Sequence, residues 1–182
     1  MSDLGFALTR ASGIVTAVVI AVALVSGFLF SARETGERRR PAWWLDLHQG
    51  LGGLALVATG VHVVASLFDS GAGVGIAEVL IPGVASTQRA ALAWGVIAMY
   101  LFAGAVFTTW PRRIRDRRLW RLIHLGSTLG VALALVHGYE MGTDAGLLAS
   151  EVGLVAIGAA GTYATAVRAT DAAIRAVQRA RS

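Results

Sequence analysis

The stretch DLHQGLGGLALVATGVHVVASLF, Asp46 to Phe68, is an apolar, glycine-rich span of membrane-crossing length with one histidine near each end, His48 and His62. Fourteen residues at about 1.5 Å and about 100° each carry His62 about 21 Å along the axis from His48 and only about 40° round it. Both imidazoles therefore look out from roughly one face, at opposite sides of a bilayer. A second span, Leu119 to Tyr139, repeats the arrangement with His124 and His137, and these four are all the histidines in the chain.

Working outward, the composition supports a membrane setting. The chain has 182 residues, 55% of them hydrophobic, and a mean hydropathy of +0.65. That is more apolar surface than a soluble domain of this size buries, so the sequence predicts one integral membrane domain. The net charge is +5, all sixteen positive side chains are arginine, and most sit between apolar spans. Such a distribution is a topology signal rather than a nucleic-acid surface. The absence of cysteine excludes thiolate-held iron–sulfur clusters, covalent haem attachment, disulfides and thiol catalysis.

Along the chain, Met1 to Thr9 reads as a short polar start and Arg10 to Ala32 as a first apolar span, retained rather than cleaved because no small-residue cleavage site closes it. Arg33 to Trp44 is a charged link, with Pro41 to stop a helix and Trp43 and Trp44 at interfacial depth. After the second span, Asp69 to Gln88 reads as a plain loop, with a partial lid in the interface as the alternative. The third span, Arg89 to Trp110, ends at Pro111 and is followed by PRRIRDRRLWR, Pro111 to Arg121. A turn near Met141 to Asp144 joins the fourth span to a fifth, about Ala145 to Val167. Arg168 to Ser182 reads as a basic cytoplasmic tail, helical at the membrane surface. The expected fold is thus an all-α bundle of five transmembrane helices over residues 1–167, followed by the tail at 168–182.

Five spans put the termini on opposite sides. Fourteen arginines fall on one side and only Arg10 and Arg89 on the other, so the N-terminus is expected outside and the C-terminus in the cytoplasm. A bacterial inner membrane is the expected location. Spans two and four then both run outward, with His48 and His124 near the cytoplasm and His62 and His137 near the outer face.

A histidine inside a membrane span is costly and a functional candidate by default. Any one of the four, taken alone, reads equally as a packing or interfacial residue. Taken together they supply two trans-bundle imidazole pairs, and a b-type haem takes one imidazole on each side of its iron, between facing helices. Zinc fits less well, because it takes four close ligands and neither pair has a carboxylate or cysteine to complete it. Gly50, Gly52, Gly53, Gly60, Gly126, Gly130 and Gly138 lie near these histidines and read either as room for a flat macrocycle or as ordinary helix packing. The thirteen-residue spacing of His124 and His137 turns the second about 140° from the first on an ideal helix. Either that span is locally over-wound or its two rings are approached from different azimuths.

Leu47-His48, Val61-His62, the arginine-rich link into WRLIH (Trp120 to His124) and VHGYEMGTD (Val136 to Asp144) resemble the ferric reductase-like transmembrane domain family. That family includes NADPH oxidase cores and the haem-binding membrane subunit of the bacterial methionine sulfoxide reductase system. The likeness runs from about Arg10 to Val167. It implies two non-covalent haem b groups, the inner on His48 and His124 and the outer on His62 and His137, passing electrons from the cytoplasm to an outer-face acceptor. Many members have a sixth span or carry a flavin and nicotinamide domain. With five spans and a short tail expected, the donor is expected to be a flavin-containing reductase subunit or a membrane quinol.

Arg112, Arg113 and Arg121 at the inner level, and Arg10 and Arg89 at the outer, are candidate partners for haem propionates, with topology the simpler role for each. Trp44, Trp110 and Trp120 read as interface anchors. Glu151 reads first as a carboxylate snorkelling to water, with proton movement near the outer haem as the alternative, and Asp69, Glu78, Glu140 and Asp144 read as a solvated outer rim rather than a cation site. The rival class is a non-redox membrane scaffold or small transporter whose histidines pack or relay protons. A colourless purified protein would mark it.

Overall fold

In the computed structural model the described residues are 2–32, 42–109, 116–142 and 148–181. They form α1 (Ser2–Ala32), α2 (Ala42–Phe68), a short α3 (Ile76–Leu80), α4 (Arg89–Thr109), α5 (Arg117–Met141) and α6 (Leu148–Arg181), with no strand among them. Among the described residues four helices are long and apolar enough to cross a membrane: Leu4–Phe30, Trp43–Phe68, Arg89–Thr109 and Arg117–Met141. Large apolar residues lie on outward faces as well as inward ones, as expected where lipid replaces water: Leu54, Val57, Val61 and Val64, which share one face of α2, are all exposed.

α1 packs mainly on α2 and α4 mainly on α5, and the two hairpins lean on each other more lightly through α2 with α4 and α1 with α5. Between them lies a small core of Ile20, Ala55, Ala98, Phe102 and Val131, flanked by Val19, Leu24 and Leu133 to Leu135. Gly130 lets α4 and α5 close up: a methyl there would stand 3.1 Å from the Phe102 ring and 3.2 Å from Leu101 Cβ.

The helix ends have local causes. Asp116 caps α5, its carboxylate accepting from the Arg118 and Leu119 amides at 2.7 and 3.3 Å. After α2, Asp69 accepts from the Gly71 amide at 2.9 Å and closes the turn. Two expectations need correction. Residues 2–9 do not form a separate polar start but open α1, because Leu4, Phe6 and Leu8 continue the apolar helix. The connection expected to be a plain loop contains α3, closed by the Glu78 carboxylate accepting from the Gly75 amide at 3.0 Å. The stretch expected as a fifth span and helical tail forms one helix, α6, unbroken past Val167.

Candidate functional site

The four histidines meet in two pairs. His48 on α2 faces His124 on α5 with ring centroids 5.9 Å apart and planes at 75°. His62 faces His137 with centroids 6.3 Å apart and planes at 73°. α2 and α5 lie across the bundle from one another, each packed on a different partner helix, so the rings rather than the backbones close the gap.

The orientation of three rings is set from the neighbouring helices. The Nδ1 of His48 lies 3.2 Å from the Ala23 carbonyl, that of His62 3.0 Å from the Thr9 carbonyl, and that of His137 2.8 Å from the Ala91 carbonyl. A carbonyl only accepts, so Nδ1 carries the proton and donates, leaving the Nε2 lone pair free to bind. Each ring also lies over a glycine four residues beyond its acceptor. A methyl at Gly27 would meet His48 Cε1 at 2.7 Å, one at Gly13 would meet His62 Cε1 at 3.1 Å, and one at Gly95 would meet His137 Nδ1 at 2.8 Å. Ser26 and Ser12 stand beside the same nitrogens at 3.2 and 3.4 Å from His48 and His62. Ser-Gly therefore recurs fourteen residues apart on α1, matching the fourteen residues between His48 and His62 on the antiparallel α2.

His124 is held differently. Trp120, one turn earlier, stacks on its ring at 4.9 Å and 14°, and is itself fixed by its indole N–H donating to Thr109 Oγ1 at 3.2 Å. On α4 a methyl at Gly104 would meet the Ile123 side chain at 3.6 Å rather than an imidazole, so Gly104 is no seat of the kind Gly13, Gly27 and Gly95 provide. α5 is α-helical without interruption from Arg117 to Met141, so no 3₁₀ or π turn accommodates the thirteen-residue spacing.

Among the described residues no cluster of three or more His, Cys, Asp or Glu could hold a metal ion, which leaves each site as an imidazole pair. Metal–imidazole nitrogen bonds run about 2.0–2.1 Å and the ring centre lies about 1.1 Å behind that nitrogen, so two axial imidazoles on one iron have centroids about 6.3 Å apart. The observed separations are close to this figure, and the rings of each pair are near perpendicular.

The other sequence candidates fall as follows. Arg121 is exposed. Arg89 is exposed at the start of α4, with its Nε donating to the Ala85 carbonyl at 3.1 Å. Arg10 lies over the Phe6 ring, 5.7 Å from its centroid. Arg112, Arg113, Trp110 and Asp144 lie outside the described residues. Trp44 donates its indole N–H to the Ser26 carbonyl at 3.0 Å, tying α2 to α1 beside His48. Of the glycines flagged in the sequence, Gly50, Gly53, Gly60 and Gly138 face open space, Gly52 and Gly126 touch neighbours only at ordinary contact distance, and Gly130 serves packing. The glycines that seat histidines, Gly13, Gly27 and Gly95, lie on the other helices. The repeated Ser-Gly on α1 was the available signal for two of them.

No protein-family model, curated protein or solved structure matches the chain.

Proposed function

We propose that this protein is a membrane cytochrome b that carries electrons across the bilayer through two non-covalent haem b groups, one held by His48 and His124 and the other by His62 and His137. The observation that carries the reading is the pairing itself: four histidines, the whole complement of the chain, meet two by two at axial-ligand separation. A haem held between the imidazoles of each pair would supply one-electron transfer.

The chain's own residues do the rest. Ala23, Thr9 and Ala91 accept the Nδ1 protons and hold the rings in the ligating tautomer, while Gly27, Gly13 and Gly95 admit them close to the neighbouring helix. Ile20, Phe102 and Val131 fill the interior between the two levels and exclude water from it. Arg112, Arg113 and Arg121 at one level, and Arg89 at the other, would balance propionate charge.

In this reading α6 supplies the fifth span. Leu148 to Val167 is twenty residues, about 30 Å of helix and the thickness of the hydrocarbon layer. The arginine distribution supports a topology with the N-terminus outside and the C-terminus in the cytoplasm, in a bacterial inner membrane on this reading. Electrons would come from a flavin-containing reductase subunit or quinol and leave to an outer-face acceptor, the arrangement of the ferric reductase-like family that the histidine motifs resemble. The test is a dithionite-minus-oxidised absorption spectrum of detergent-purified protein made with adequate haem. Sharp b-type bands with about two haems per chain are expected, and folded, colourless protein would overturn the reading in favour of a non-redox bundle.

A further inference from the structure

The connection between α2 and α4 exposes Ile76, Leu80, Ile81 and Val84, at 68, 45, 53 and 45% of their surface, while Val79 and Ala85 tuck inward. Four large apolar side chains within nine residues make a costly patch for a loop in water. The Tyr100 hydroxyl donates to the Leu80 carbonyl at 2.6 Å, and that bond fixes how deep the patch lies. α4 has 21 residues, about 31 Å of helix, which matches the hydrocarbon thickness and sets Arg89 at one boundary. Tyr100 is eleven residues in, about 16 Å along the axis. Even with its side chain laid fully back toward the helix start, a reach of about 6.5 Å, the hydroxyl stays about 10 Å inside the level of Arg89.

We infer that Ile76 to Val84 is a re-entrant segment that dips into the hydrocarbon of the leaflet around the start of α4, with Ile76, Leu80, Ile81 and Val84 against lipid. Backbone at such a depth needs its polar groups satisfied. The Ile81 amide donates to the Ala77 carbonyl at 2.8 Å, the Val79 amide to the Gly75 carbonyl at 3.2 Å, and Tyr100 takes the Leu80 carbonyl. Glu78 turns its carboxylate back to the Gly75 amide at the upper end of α3. The segment is no lid over the histidines. Tyr100 lies about 140° round α4 from Gly95, the seat of His137, so the loop hangs on the lipid side of the helix.

The inference rests on α4 crossing the bilayer and is independent of the haems. Because the chain has no cysteine, single-cysteine variants can be spin-labelled in liposomes and probed by collision with oxygen and with a water-soluble nickel chelate. Ile81→Cys and Ile76→Cys are compared with Leu54→Cys, on the outer face of α2, and Ser70→Cys, in the turn after it. The expected result is an oxygen-to-nickel ratio at Ile81 near that of Leu54 and about tenfold above that of Ser70. A ratio at Ile81 equal to Ser70 would overturn the inference, and weak collision with both probes would overturn it in favour of a protein partner. A low ratio at Leu54 as well would instead count against the membrane span. In Tyr100→Phe the Ile81 ratio should fall toward that of Ser70, and an unchanged ratio would refute the anchoring role of the hydroxyl.

Discussion

At the scale of the residue, the seat beneath each histidine matters as much as the histidine. Gly27 leaves the His48 ring no room for a methyl, which would meet it at 2.7 Å, whereas Gly60 faces open space. Gly27→Ala is therefore expected to push His48 out of place and, if the two proposed haems bind, to cost the protein one of them, while Gly60→Ala keeps both. Haem-to-protein ratios on the purified variants check this, and equal ratios would show that the seat is not needed. His48 and His62 were legible as one face because fourteen residues nearly close a whole number of helical turns, whereas His124 and His137, thirteen apart, were matched to them only as the other two histidines of the chain. Their seats were not, since a glycine on α1 acquires its meaning only from the antiparallel register that sets residue 27 against residue 48. Trp120 was visible one turn before His124 but read as an interface anchor. Spacing alone does not distinguish an indole facing headgroups from one stacked on an imidazole at 14°.

At the scale of the element, four of the five expected spans coincide with described helices of crossing length, although the first begins at Ser2 rather than Arg10. α5 begins where Asp116 supplies its cap. Asp116→Ala is expected to destabilise that helix by about 1 kcal/mol, read as a lower midpoint of thermal unfolding, with the spectrum of retained haem unchanged. α3 escaped sequence analysis because five residues carry too little periodicity to stand out, and its fixed position comes from Tyr100, twenty residues away. In the middle of α4, Phe102 is 8% exposed and lies against Gly130 of α5. Phe102→Ala leaves a cavity between the two hairpins and should cost about 3–5 kcal/mol, the usual range for a buried aromatic. A loss under about 1 kcal/mol would mean that the interior collapses to fill the space.

At the scale of the whole molecule, four helices of membrane-crossing length are joined by α6, whose first twenty residues have the length for a fifth crossing. The number of crossings decides where the ends lie, an odd count placing them on opposite sides. With no native cysteine, labels at Ser2→Cys and Ala180→Cys are expected to react with an impermeant maleimide from opposite faces of a spheroplast membrane, the former in intact cells and the latter only after lysis. Labelling of both from one face would reduce the bundle to an even number of spans. Composition could not decide this for α6, because its alanines, glycines and threonines suit a crossing and a surface helix alike.

The central claim is that the histidines act as two trans-bundle pairs, and a redox titration of single variants tests it most directly. His48→Ala and His124→Ala should each abolish the same one of two haem midpoints, and His62→Ala and His137→Ala should each abolish the other. Loss of different midpoints within a pair, or of none in any variant, would contradict the account.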